Sequence, residues 1–87
     1  MDKYKIYFRE SVWKDLGKVP KKDVKKILSK IKALGSDPRP PGCEKLSGQE
    51  KYRIRWRMYR IIYSVQDYEL TVWVVEVGHR RDVYRDK

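Results

Sequence analysis

The stretch Lys51 to Val65, KYRIRWRMYRIIYSV, constrains the fold more than any other part of the chain. Tyr52, Ile54 and Trp56 share one parity; Lys51, Arg53, Arg55 and Arg57 share the other. Successive side chains of a strand point to opposite faces, so this pattern predicts a strand buried on one side only. The alternation resumes after Arg57-Met58, with Tyr59, Ile61, Tyr63 and Val65 on one parity and Arg60, Ile62 and Ser64 on the other. A two-residue turn at Arg57-Met58 then pairs Trp56 with Tyr59, Arg55 with Arg60, Ile54 with Ile61 and Arg53 with Ile62. Arg-Met is poor chemistry for such a turn, which favours Asn-Gly or Asp-Gly. Burial defends the register instead, because a slip of one residue would carry the arginines into the core.

That register sets Arg55 against Arg60. Like charges directly opposite one another destabilise a sheet by roughly a few tenths of a kcal/mol per pair. An ordinary solvated face mixes acids with bases, yet Lys51 to Arg60 contains five basic residues and no acid. The arrangement points to an anion as the partner of this face.

With 87 residues and a net charge of +10, the chain suits one domain, 1–87, whose partner is nucleic acid, an anionic membrane or an acidic protein. The single cysteine, Cys43, excludes an internal disulfide and argues for a reducing compartment. With one histidine, no Cys/His metal site can be assembled, and no cofactor is expected. The opening MDKYKIYFRE lacks the apolar centre of a signal peptide, and no apolar run suffices for a membrane span. These features predict a cytoplasmic chain with no membrane association.

Tyr4 to Phe8 alternates as a short first strand, with Tyr4, Ile6 and Phe8 against Lys5 and Tyr7. Arg9 to Leu16 predicts a short helix directing Val12, Trp13 and Leu16 to the core, ended by Gly17, a residue able to take the left-handed conformation. From Lys21 to Leu34, the residues Val24, Ile27, Leu28, Ile31 and Leu34 form a stripe of helical period. Lysines dominate the opposite face, which solvation accounts for; the other reading is a second anion surface that steers a polyanion at long range without chemistry. Ser36 to Ser47, SDPRPPGCEKLS, reads as a loop anchored by Leu46. Leu70 to Val77, LTVWVVEV, is apolar on both parities, as a central strand covered on both faces would be. The expected fold is α+β, in the order β-α-α-β-β-β. An N-terminal strand and a two-helix hairpin pack on a small, twisted, mainly antiparallel sheet.

The face away from the helices offers Arg53, Arg55 and Arg60, and the end of the last strand can add Gly78, His79, Arg80 and Tyr84. Positive charge and proton carriers, without paired carboxylates or a phosphate loop, suit metal-free RNA cleavage. In that reaction a base takes the 2′-OH proton as the 2′-oxygen attacks the adjacent phosphorus, the bond from phosphorus to the 5′-oxygen breaks, an acid protonates that leaving oxygen, and fixed cations stabilise the charge on the non-bridging oxygens. Arginine serves this role but not proton transfer, because its pKa lies above ~12. His79, Tyr84, or a nucleotide and water remain as proton carriers.

Taken together, KLSGQEKYRIRWRMYRIIYSV and VWVVEVGHRRDVYR resemble the RelE/ParE superfamily of toxins from type II toxin–antitoxin pairs. The likeness extends to the VPKKDVKKIL helix and the proline-rich loop closing on Leu46-Ser47-Gly48. It implies a RelE-like fold. For the RelE branch it also implies a ribosome-dependent mRNA endonuclease (an mRNA interferase) that cuts mRNA in the A site and blocks translation. The family's site positions match Arg53, Arg55, Arg60, Arg80 and Tyr84, with His79 as an added acid or base and with Lys51, Arg57, Arg81 and Arg85 as RNA-binding residues. The implied partners are the ribosome with its mRNA and a cognate, RelB-like antitoxin with an acidic toxin-binding segment. Operator DNA would be contacted only through the antitoxin complex. RelE carries lysines where this chain has Arg53 and Arg55, which leaves the general base open. The alternatives are a ParE-like toxin that inhibits DNA gyrase without catalysis, and an inactive nucleic-acid-binding module acting with the antitoxin.

Overall fold

The structure is a computed structural model that describes residues 3–46 and 50–79. Its elements are β1 (Lys5–Phe8), α1 (Glu10–Gly17), α2 (Lys21–Ala33), β2 (Glu44–Lys45), β3 (Lys51–Trp56), β4 (Tyr59–Gln66) and β5 (Thr71–His79). The strands form one sheet in the order β1-β5-β4-β3-β2. β1 pairs with β5 in parallel and the other pairings are antiparallel. This is the expected α+β architecture with one addition, the two-residue β2 beside β3. An element that short carries no periodicity for a sequence to display.

The helices cover one face of the sheet. Ile27, Ile31 and Leu34 of the α2 stripe are buried with Val12 and Leu16 against Tyr52, Ile54, Ile61, Tyr63, Val72, Val74 and Val77. Trp13, expected in the core, is 52% exposed and lies against Phe8 with ring centroids 4.8 Å apart. Gly17 does end α1, but no left-handed turn follows it: Gly42, Arg57 and Leu70 are the described residues with positive φ. α1 also seals the edge of β5 beyond β1. The Arg9 amide donates to the Val74 carbonyl at 2.9 Å, and the Val77 amide donates to Asp15 Oδ2 at 3.1 Å.

The β3–β4 hairpin has the expected register, including Arg55 opposite Arg60. The turn is met by Arg57 at φ 58°, the sign that a primed hairpin turn requires at its first central residue. β5 is central, as expected, but covered on one face only, since Trp73 and Glu76 are exposed. It also departs from strict alternation. Ile62 pairs with Glu76 and Tyr63 with Val74, so Val75 is an extra residue in a β-bulge. Without the bulge, Glu76 would share the core parity of Val72 and Val74. With it, Glu76 turns outward and Val77 is 2% exposed.

The proline-rich loop is fastened by polar contacts at its start. Tyr63 Oη donates to the buried Pro38 carbonyl at 2.7 Å. Arg39 donates to Tyr52 Oη at 2.9 Å and forms a two-pronged pair with Asp67 at 2.9 and 3.3 Å. Tyr4 Oη donates to the same carboxylate at 2.8 Å. The Arg39 hydrogen bond holds Asp67 below the usual carboxylate range, and the Asp67 hydrogen bond raises Arg39 further. Leu46, the expected anchor, is half-buried, and its amide donates to the Lys51 carbonyl at 2.8 Å.

Candidate nucleic-acid interface

Among the described residues, no helix covers the face of the sheet opposite α1 and α2, here called the open face, and the strand registers determine what stands on it. Lys51, Arg53 and Arg55 lie at alternate positions of β3, opposite Ser64, Ile62 and Arg60 of β4. Arg60 in turn faces Gly78 of β5, which has no side chain to crowd the guanidinium, and Arg60 is buried, at 4% exposure. Three of the expected site residues, Arg53, Arg55 and Arg60, are thus brought together. Lys51 continues the same row. Arg57 sits at the hairpin turn with its guanidinium carbon 5.1 Å from the centre of the Trp56 ring.

His79 is not brought there. It pairs with Tyr59, on the parity of Ile61 and Val77, which is the helix side of the sheet. Its ring meets Tyr59 edge-on at 5.7 Å and its Nε2 contacts Met58 Sδ. Tyr59 Oη itself reaches α2, donating to Asp23 Oδ2 at 3.1 Å. The bulge at Val75 is the cause: strict alternation would have left His79 on the parity of Trp73, on the open face. By this pairing His79 stands across the sheet from the arginines that it was expected to join. Arg80, Arg81, Tyr84 and Arg85 lie outside the described residues.

One residue of the open face was not anticipated. Glu44 of β2 pairs with Arg53 in the sheet and accepts hydrogen bonds from its Nε, at 2.9 Å, and its Nη2. Arg55 Nη2 stands 3.7 Å from the same carboxylate oxygen. The Arg53 hydrogen bond, then the Arg53 charge, and more weakly Arg55 and Arg60, hold the Glu44 carboxyl below its ordinary range. Lys51 to Arg60 contains no acid, but the adjoining strand supplies one. Its signal in the sequence was slight: a lone Glu at the end of a proline-rich loop.

Chemically, this face gathers cations of the kind suited to non-bridging phosphate oxygens, with one carboxylate that joins two of them. Among the described residues, no imidazole stands with them. No helix among those residues is long and apolar enough to cross a membrane.

Comparison with known proteins gives a consistent picture. The family model described as the ParE toxin of the type II toxin–antitoxin system, parDE, matches residues 6–84. An Escherichia coli protein described as a RelE-like toxin is 31% identical over 86 residues, spanning 94% of this chain and 90% of its own length. The crystal structure of the isolated E. coli RelE toxin superposes with a TM-score of 0.76 at 30% identity, covering 93% of this chain and 90% of that one. The toxin–antitoxin complex RelBE of E. coli contains a chain with a TM-score of 0.77 at 26% identity, covering 87% of this chain and 95% of that one.

Proposed function

Because the chain belongs to the ParE toxin family of type II toxin–antitoxin systems, we propose that it acts as a RelE-branch toxin, cutting mRNA on the ribosome by metal-free attack of a 2′-OH. The observation that carries this reading is the Arg53, Arg55 and Arg60 cluster, with Arg55 and Arg60 directly opposed across the hairpin. A like-charged pair in a sheet is unfavourable alone and becomes favourable when a phosphate lies between its members. Arg53, Arg55 and Arg60 hold the scissile phosphate and stabilise the charge that develops on its oxygens. Lys51 and Arg57 bind the adjoining backbone. Arg80 and Tyr84 are assigned to the site by family resemblance, as phosphate binder and base-stacking or proton-transferring residue, with Arg81 and Arg85 as further RNA contacts. Glu44, whose carboxyl Arg53 holds below its ordinary range, is a poor proton acceptor, and proton transfer falls to Tyr84 or to water ordered by the arginines.

The partner follows from the same charge. The E. coli relative is complexed with its antitoxin. We assign this chain a RelB-like antitoxin whose acidic segment covers the open face, since burying these arginines requires opposite charge. Operator DNA is reached through that complex only.

The test is primer extension on a cellular mRNA after brief induction of the wild type, Arg60→Ala and Arg53→Ala, with thermal melting of each variant as the folding control. The expected result is sharp in-frame breaks within translated regions for the wild type and none for folded variants. Growth arrest with intact mRNA and gyrase-linked DNA breaks would replace this reading with gyrase inhibition, leaving the arginines as a docking surface.

A further inference from the structure

Beyond the arginine cluster, the open face continues across β4 and β5 into a recess of about 440 Å³ lined by Arg9, Lys51, Ser64, Gln66, Trp73 and Val75, with Phe8 and Glu10 at its rim. This volume falls within the range of small-molecule sites. Trp73 is 38% exposed and stacks on Tyr7 at 5.1 Å with the rings 29° apart; Tyr7 is itself 44% exposed. Two large aromatic rings left partly in water on a strand face are costly for a small domain unless something covers them. Ser64 stands opposite both Lys51 and Trp73 in the sheet, and Gln66 Nε2 donates to Ser64 Oγ at 3.4 Å. An amide and a hydroxyl, each able to donate and accept, therefore adjoin the aromatic surface. The row Arg55, Arg53, Lys51 leads from the cluster to this recess in steps of about 6.7 Å, two residues of strand, a length on the order of one nucleotide of extended backbone.

We propose that this recess is a nucleobase subsite. A nucleotide flanking the scissile phosphate stacks on Trp73, its edge is read by Gln66 and Ser64, and its phosphate is held by Lys51 and Arg9. Aromatic rings beside a cationic track are the means by which proteins hold single-stranded RNA, because every base offers a π-face. Glu10 at the rim adds an acceptor for an exocyclic amino group. The bulge at Val75 contributes by placing two consecutive residues, Val75 and Glu76, on the open face, which bends the strand around the recess. The subsite rests on the reading of the chain as an RNA-cleaving toxin and adds to it a preference among flanking bases.

The experiment measures binding of the full chain to a short, uncleavable 2′-O-methyl RNA and to the same oligomer made abasic, by fluorescence anisotropy. Wild type, Trp73→Ala, Trp73→Phe, Gln66→Ala and Arg53→Ala are compared. Stacking on an aromatic ring is worth about 1–3 kcal/mol per base, so Trp73→Ala is expected to weaken binding of the base-bearing oligomer about 5- to 150-fold. It should leave the abasic one unchanged. Trp73→Phe should retain most of the affinity, and Gln66→Ala should narrow the differences among base compositions. Equal weakening of both oligomers, or of neither, overturns the subsite. If Arg53→Ala weakens binding and Trp73→Ala does not, the subsite falls and the RNA reading stands. If the wild type binds neither oligomer, both fall. Loss of antitoxin affinity in Trp73→Ala with RNA binding intact would give the recess to the antitoxin and also overturn the proposal.

Discussion

At the scale of single residues, Glu44 decides how much of the positive charge on the open face is available. It is the acid that joins Arg53 and Arg55, so an RNA phosphate bound as proposed would have to compete with it for both guanidinium groups. Glu44→Gln is therefore expected to tighten RNA binding and to steepen the salt dependence. Each additional phosphate contact changes the slope of log K against log salt by roughly 0.7 for a single strand. Anisotropy titrations across a potassium chloride series would measure this, and an unchanged slope would mean that Glu44 aligns the arginines without competing. The pair is also protected against acid. The folded state lowers the Glu44 pKa, so its contribution is complete above the unfolded value and disappears only as pH falls through the lower, folded one. Arg53, Arg55 and Arg60 were legible from alternation alone, because charge on one parity of a strand is a local pattern. Glu44 was not, because its relation to Arg53 exists only once β2 pairs with β3.

At the scale of elements, the bulge in β5 and the clamp on the proline-rich loop do most of the positioning. Deleting Val75 would restore strict alternation. Val74 would still face Tyr63 and Glu76 would still face Ile62, so Glu76 stays outward, Val77 stays in the core and Gly78 stays opposite Arg60. Only the local twist and the Val75 side chain are lost, so the deletion is expected to leave the fold intact and the melting temperature little changed. A sharp fall in melting temperature would show that the bulge itself is needed for stability. The clamp gives a pH signature. Asp67 is held below the usual range by Arg39 and then by Tyr4. Its contribution is therefore complete above the unfolded carboxylate value near ~3.9 and is lost as pH falls through the folded value. Thermal melts between pH 6 and pH 3 should show stability falling only at the acid end. Asp67→Asn should be less stable at pH 6 and should lack that part of the acid limb. The α2 stripe and the hairpin register were readable because period and parity are local. The bulge was not, since LTVWVVEV supports alternation from either end and only pairing with β4 shows where the extra residue goes.

At the scale of the molecule, the chain carries a net charge of +10, and among the described residues two groups of cations lie on opposite sides of the sheet. Arginines occupy the open face, while Lys21, Lys22, Lys25, Lys26, Lys30 and Lys32 are exposed on α2 across the core. The shortest extent of the molecule is 25 Å, about three Debye lengths at physiological salt. The lysines therefore add little to the grip on an RNA strand lying on the open face. If they act on an anion at all, it is on a second surface facing α2, by long-range attraction. Replacing Lys22, Lys25 and Lys26 with glutamine should slow association with ribosomes at low salt while leaving affinity for a short RNA oligomer unchanged. Stopped-flow association and oligomer titration would separate the two. Equal losses in both assays would place the lysines on the path of the same strand.

By itself, the sequence determined the helices, the hairpin register and the row of arginines, together with the family to which these belong. Each is a periodic pattern fixed by burial on one side of an element. The structure decided which side His79 faces, which acid stands among the arginines, and that the far face of β5 stays open beside Tyr7 and Trp73. These depend on strand neighbours brought together from distant parts of the chain and on one unpaired residue in β5. Neither leaves a period in the sequence, because pairing across a sheet is settled by the whole core rather than by any single stretch.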